Sequence, residues 1–294
     1  MAMTDLSLEA RGRARRRLIA NRIAESAATL AALTAVAVLV ILVWSVFRRG
    51  APALNWDFFT KGPALFGQSG GGIAPAFVGT LLLVGIATAI ALPTGVLTAI
   101  YVSEFAPRSV GNQIRLWLDV LNGFPSIVIG IFVFSLLVVG HGQSGWAGSS
   151  ALAIIMLPLV ARTTMEVLRL VPNDLREASY ALGVSKWRTV ILVVLPGAFG
   201  GILTGTTLAI ARAAGETAPL LFTCSIAGSL VNWKPGQALN SIPVTIFTYS
   251  EAPDEALHQQ AWAAAFVLIA FVLIASLTAR LLLERSRRKL GSAH

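Results

Sequence analysis

Six long runs of apolar residues dominate the chain, and short polar or charged stretches separate them. The runs cover residues 27–47, 76–102, 120–139, 149–171, 196–222 and 261–283. Each is close to the roughly 20 residues that an α-helix needs to cross the hydrocarbon core of a membrane. The uncharged stretch over residues 120–161 is too long for one helix, and the glycine-rich segment 140–145 divides it into a hairpin. The pattern predicts an all-α membrane protein with six transmembrane helices.

The composition supports this fold class. Hydrophobic residues make up 55% of the chain, charged residues make up 13%, and the mean hydropathy is +0.74, whereas soluble domains carry about 25% charged residues. We predict a basic arm over residues 1–23 and one transmembrane domain over residues 24–290. The first apolar run is too long for the core of a signal peptide, so we expect an uncleaved first span.

The net charge of +9 does not indicate a nucleic-acid partner, because most basic residues lie in segments predicted to be on one side of the membrane. With both termini inside, the inner segments carry 18 of the 23 Lys and Arg residues, and the outer loops carry 4. Such an asymmetry follows the positive-inside rule. It predicts that both termini are cytoplasmic and says nothing about the sign of a transported solute.

Candidate chemistry for an enzyme or a metal site is sparse. Cys224 is the single cysteine, and His141, His258 and His294 lie far apart in the sequence. No metal-ligand spacing, catalytic triad or Walker phosphate loop occurs. We therefore expect no catalytic residues, no metal and no cofactor, and an intramembrane enzyme is disfavoured.

Two charged residues stand inside the fifth apolar run. Arg212 and Glu216 are opposite in sign and four residues apart, so on one helix they would share a face and could pair. A charge within a span costs about 2.5–3.5 kcal/mol on insertion scales and usually meets a partner or a water-filled path. The pair is either a structural ion pair that links two helices or a site that a solute contacts as it crosses the membrane.

A polar segment over residues 172–196 joins the fourth and fifth spans. Pro172 ends one helix, Asp174 and Glu177 have the spacing of a capping box, and Gly183 suits the left-handed residue that ends a helix. The short helix so predicted has an apolar stripe, with small residues that permit close approach: Leu175, Ala178, Ser179 and Leu182. It is either a surface helix packed on its own bundle or a docking element for a cytoplasmic partner.

Three further features concern the geometry and the charges of the predicted spans. Pro93 and the segment 123–126 interrupt two predicted spans, and we expect kinks there. Arg162 and Glu166 repeat the four-residue spacing at the end of the fourth span. For these two we expect an ion pair at the membrane interface.

The polar segment carries a resemblance. Glu177-Ala178-Ser179, Gly183 and Leu195-Pro196 resemble the cytoplasmic coupling loop of ABC importer permeases, with Ser179 in place of an alanine and Val193 in place of an isoleucine. The run from Ile210 to Phe222 is similar to a signature of phosphate importer permeases. The segments 54–60, 70–75, 122–130 and 261–265 resemble the A-type subunit, the PstA family.

The resemblance implies a type I ABC importer permease with six spans and a cytoplasmic coupling helix. It implies a substrate path that includes Arg212, Glu216, Thr217, Asn122 and Ser126. The residues implied in coupling to an ATPase are Asp174, Glu177, Ala178, Ser179 and Gly183. The implied partners are a cytoplasmic dimer of ATP-binding subunits, a second, C-type permease subunit and an extracytoplasmic phosphate-binding protein, with membrane lipid around the spans.

Two alternatives remain at this point. The chain could be an ABC importer permease for another oxyanion or small solute. It could instead be a secondary transporter or channel that works without ATP, although such a protein has no need of a docking helix.

Overall fold

The computed structural model describes residues 13–63, 70–225 and 228–291, and every regular element within these ranges is a helix. Contacts divide the chain into a unit that ends at Arg48 and a unit that begins at Arg49. The first unit consists of most of helix α1, Arg13–Gly50, which is long and apolar enough to be the predicted first span. Residues 1–12 of the predicted arm lie outside the described residues.

The second unit contains a series of helices. They are α2 (Trp56–Thr60), α3 (Ala74–Ile100), α4 (Arg108–Gly123), α5 (Ser126–Val133), α6 (Gly145–Leu170), α7 (Asn173–Ala181), α8 (Lys186–Thr189), α9 (Leu195–Ala214), α10 (Ala218–Thr223), α11 (Ile242–Ser250) and α12 (Glu255–Gly291). Short π-helical segments extend α3 over Tyr101–Phe105 and α5 over Phe134–Val138. A further π-helical segment, Val190–Val194, joins α8 to α9.

Five helices in the described ranges are long and apolar enough to cross a membrane. They are Arg16–Ala53, Ala74–Phe105, Gly145–Leu170, Lys186–Ala214 and Glu255–Thr278. They confirm five of the predicted spans. The fifth predicted span has different bounds, since its helix begins at Lys186 rather than Pro196 and ends at Ala214 rather than Phe222.

The interruption expected at residues 123–126 is confirmed, and it divides the third predicted span. The chain there forms two helices, Arg108–Gly123 and Ser126–Val138, bent by 97° relative to each other. Pro125 has no N–H and disfavours a helical conformation at Phe124, which is extended with φ −67° and ψ 136°. At Pro93 the reverse holds, because α3 continues through this residue without a break.

Helices α3, α6 and α9 pack together as the centre of the second unit. Leu83, Met156 and Ala209 from the three helices are at most 1% exposed and belong to one apolar cluster. Small residues permit the close approach, since a Cβ on Gly95 would lie 2.9 Å from Cγ1 of Val160. This packing fixes the end of α9, where Arg212 lies.

Candidate functional site

The helix that carries Arg212 breaks immediately after it. Arg212 lies in the last turn of α9, and the N–H groups of Gly215 and Glu216 donate to the carbonyls of Arg212 (3.0 Å) and Ala213 (3.2 Å). Pro219, near the start of α10, has no N–H and cannot extend α9 through Gly215. The prediction of one continuous helix over residues 196–222 is therefore wrong.

Arg212 and Glu216 nevertheless form an ion pair, with 3.5 Å between Nε of Arg212 and Oε1 of Glu216. They do not share a helix face, because Glu216 lies in the break. The side chain of Glu216 is 15% exposed, whereas that of Arg212 is 47% exposed. The arrangement holds a carboxylate beside Arg212 and leaves about half of the Arg212 side chain exposed.

The start of α10, directly after the break, packs against α5. A Cβ on Gly130 of α5 would lie 2.6 Å from Cα of Pro219, so the two backbones touch. Ser126 lies one turn before Gly130, and Thr217 directly precedes α10. The structure therefore brings the elements that carry Ser126 and Thr217 close to the break.

Asn122 lies on the other side of the 97° bend, at the end of α4. Among the described residues, no hydrogen bond or ion pair joins Asn122, Ser126 or Thr217 to Arg212. The side chains of these three polar residues make no hydrogen bond within the described ranges. Ser126 and Thr217 thus lie on elements beside the break, and Asn122 lies across the 97° bend from Ser126.

Gln143 holds the far end of α10, a role that no pattern in the chain predicts. Its Nε2 donates to the Phe222 carbonyl (3.0 Å), and its Oε1 accepts from the Ser225 N–H (2.8 Å). The rings of Phe134 and Phe222 meet edge to face, with centroids 6.4 Å apart. These contacts fix α10 relative to α5.

The cytoplasmic segment forms the short helix α7, with one correction. Asp174 does not cap it, because the helix begins at Asn173 and Pro172 occupies the capping position without a side-chain hydrogen bond. Asp174 instead lies in the first turn, where a negative charge complements the helix dipole. Gly183 has φ +77°, which confirms the predicted left-handed position.

One face of α7 packs inward and another is exposed. Ser179 is 8% exposed, and its hydroxyl oxygen lies 2.8 Å from that of Thr189. On the other side Leu175 and Leu182 are 50% and 83% exposed. Asp174, Glu177 and Ala178 are exposed with them. The predicted apolar stripe of α7 is therefore exposed and does not pack on the rest of the chain that the structure describes.

Arg176 ties α7 to the rest of the second unit, and sequence reasoning missed it. Its Nη2 donates to Oε1 of Glu104 and to the Leu168 carbonyl, each at 2.9 Å, and its Nη1 donates to the Val171 carbonyl at 2.6 Å. The side chains of Arg176 and Glu104 are 14% and 7% exposed. One guanidinium group therefore joins α7 to the ends of α3 and α6.

Arg162 pairs with a residue other than the one expected. Its Nε lies 3.3 Å from Oδ1 of Asp119 in α4, and Glu166 has no ion pair among the described residues. The expected pair of Arg162 with Glu166 is wrong, because α4 folds back against α6 and brings Asp119 closer. Within the described ranges, no group of three or more His, Cys, Asp and Glu side chains could hold a metal ion.

Residues 91–288 match the family described as the inner membrane component of binding-protein-dependent transport systems. The chain is 39% identical over 264 residues to the phosphate transport system permease protein PstA of Haemophilus influenzae, covering 87% of this chain and 93% of that one. It is 39% identical over 282 residues to PstA 1 of Mycobacterium tuberculosis strain H37Rv, covering 93% and 91%.

Solved structures show the same fold at low sequence identity. An inward-facing form of the MetNI methionine ABC transporter has a TM-score of 0.57 and 18% identity, covering 73% of this chain and 94% of that one. A bacterial ABC transporter that imports the polysaccharide alginate has a TM-score of 0.58 and 14% identity, covering 91% and 98%.

Proposed function

Because the chain belongs to the PstA family of inner-membrane permeases, we propose that Arg212 binds phosphate in transit and that Glu216 limits the strength of this binding. The chain is a membrane permease of a phosphate ABC importer. It is not an enzyme, since ATP hydrolysis occurs in a separate subunit. A permease of this kind works with an ATPase and with a substrate-binding protein.

The observation that carries the proposal is the half-exposed Arg212 side chain at a helix break. Irregular backbone within a membrane protein is tolerated where it is buried or lines a water-filled cavity, and broken helices form the substrate sites of many transporters. Arg212 is 47% exposed at such a break. Its planar fork can hold two oxygens of a tetrahedral oxyanion at once.

Glu216 suits a site that must release its cargo. At 3.5 Å from Nε of Arg212, its carboxylate competes with phosphate for the guanidinium group. A conduit needs binding that is strong enough for entry and weak enough for exit. Thr217, Ser126 and Asn122 add hydroxyl and amide groups that make no hydrogen bond within the described part of the chain.

For the partners, we propose a dimer of ATPase subunits on the cytoplasmic side, a C-type permease as the second half of the path and an extracytoplasmic phosphate-binding protein. The support for ATPase docking is α7, which exposes Leu175, Ala178 and Leu182 beside Asp174 and Glu177. Arg176 would carry a displacement of the docked α7 to the ends of α3 and α6. Alternating access then follows from the rocking of packed helices.

The experiment is phosphate uptake by cells that carry Arg212→Ala, with Arg188→Gln as the control. Arg188 is an exposed arginine near α7 that makes no hydrogen bond or ion pair among the described residues. We expect Arg212→Ala to abolish uptake, Arg212→Lys to restore it poorly and Arg188→Gln to retain it. Co-purification checks that the complex still assembles and identifies its other chains. Normal uptake by an assembled Arg212→Ala complex would refute the role of Arg212.

A further inference from the structure

A second cluster of arginines lies between α4 and α6. It surrounds a cavity of about 110 Å³ lined by Arg115, Asp119, Arg162, Met165, Glu166 and Arg169. This volume exceeds the roughly 10–15 Å³ that a cavity needs to hold one water, so it has room for several waters or one small anion. None of these residues belongs to the Arg212 site.

The charges in the cavity are not balanced. Three guanidinium groups face two carboxylates, and Asp119 is already engaged by Arg162 at 3.3 Å. Neither Arg115 nor Arg169 forms an ion pair with a described residue. Two guanidinium groups therefore share the cavity with the carboxylate of Glu166 alone.

Arg115 supplies a second observation. Its Nε is buried and has no hydrogen-bond partner among the described residues, although its Nη1 donates to Oδ1 of Asn112 at 3.2 Å. A buried N–H of a charged group needs an acceptor, and leaving it without one is costly. An anion in the adjoining cavity would balance the charge of this guanidinium group, which forms no ion pair with a described carboxylate.

The position of the cavity connects it to the substrate path. The cavity is at the end of α6 that leads into α7, which the distribution of basic residues puts on the cytoplasmic side. Arg115, Asp119 and Asn122 follow one another at spacings of four and three residues, so they lie along one stripe of α4. This stripe ends at the bend before Ser126, whose helix packs on α10.

From these observations we infer that the α4–α6 cavity is a second oxyanion site, which receives phosphate on the cytoplasmic side before its release. The inference rests on the proposed function for the identity of the cargo. Arg115 and Arg169 provide the donors. Asp119 and Glu166 keep the affinity low, as release requires. A phospholipid headgroup offers the same phosphate chemistry, so the test must separate the two sources.

The test uses Glu166→Cys in the intact complex in inside-out membrane vesicles, labelled by an impermeant thiol reagent. The native Cys224 is fully buried, which leaves position 166 as the reactive site. Removing the Glu166 carboxylate favours anion binding, so an absence of binding would be decisive. Inorganic phosphate, compared with chloride at equal ionic strength, should slow labelling about tenfold when roughly nine-tenths of the cavities are filled.

Control variants assign the effect. Protection should vanish when Arg115→Gln and Arg169→Gln are added and should persist when Arg188→Gln is added. It should also persist with Arg212→Ala, so a failure here and a failure of the Arg212 site give different results. The inference is overturned if phosphate gives no protection. It is equally overturned if protection depends only on anionic phospholipid in the vesicles and is insensitive to added phosphate.

Discussion

Arg176 in α7 and Glu104 at the end of α3 are 72 residues apart in sequence, yet Nη2 of the first lies 2.9 Å from Oε1 of the second. The same Nη2 also donates to the Leu168 carbonyl at 2.9 Å. Since both side chains are largely buried, the contact is a fixed link rather than a surface pair. It connects α7 directly to the ends of two core helices.

We predict that Arg176→Met uncouples ATP hydrolysis from phosphate uptake. Breaking a buried pair by removing one partner costs about 3–5 kcal/mol and leaves Glu104 as a lone buried charge. Glu104→Gln should be milder, because an amide oxygen still accepts from Nη2. The measurements are uptake, thermal unfolding and the amount of ATPase that co-purifies, with Arg188→Gln as control. Normal phosphate uptake by cells that carry Arg176→Met would show that the contact of Arg176 with Glu104 does not couple ATP hydrolysis to transport.

The turn after α7 gives a second prediction. Gly183 has φ +77° and open space around the place of a Cβ, so any penalty there comes from the backbone and not from a clash. That penalty is about 1–2 kcal/mol for an ordinary residue and smaller for asparagine. We expect Gly183→Val to lose ATP-dependent uptake and Gly183→Asn to retain most of it. If Gly183→Val cells import phosphate normally with the ATPase bound, the turn does not position the docking helix.

The contact between α5 and α10 gives a third prediction. A methyl group on Gly130 would press on the backbone at Pro219, whereas one on Gly85 of α3 would meet nothing within 4 Å. Gly130→Ala should lower stability by about 1–3 kcal/mol. It should also reduce uptake, because α10 and the break move away from α5. Gly85→Ala is the matched control, and equal behaviour of the two variants would contradict the role of this contact.

Orientation gives a fourth prediction, tested with single-cysteine probes. Cys224 is buried and should remain unlabelled. An impermeant thiol reagent added to intact spheroplasts should label His141→Cys, whose position is exposed in the loop before α6. The same reagent should label Ser185→Cys, in the exposed segment before α8, only after the membrane is opened. The reverse pattern would overturn the assignment of inner and outer sides.

Local signals in the sequence predicted part of this structure. The apolar runs predicted the spans, the four-residue spacing predicted the pairing of Arg212 with Glu216, and a glycine at a helix end predicted the left-handed Gly183. Each of these features depends on residues close together in the chain. The functional roles assigned to them remain predictions.

Two causes explain the features that were not predicted from the sequence. One is competition between neighbouring residues, and the other is contacts between residues far apart in the chain. Pro172 displaced Asp174 as the capping residue, and Pro125 turned one apolar run into two helices. The segment 123–126 predicts an interruption of this run but not its angle of 97°, because apolar residues suit both a slight kink and a sharp bend. The partners of Arg176 and Arg162 lie on other helices, so spacing along the chain gave no indication of them.

The central claim is that Arg212 meets phosphate rather than serving only as a partner for Glu216. Phosphate uptake by the double variant Arg212→Glu with Glu216→Arg tests it most directly, alongside Arg212→Ala and with assembly confirmed by co-purification. The exchange preserves an ion pair, and an acidic residue in the last turn of α9 costs only about 0.3–1 kcal/mol. We predict that the assembled double variant imports no more phosphate than Arg212→Ala. Uptake restored to the level of the unaltered chain would contradict the account.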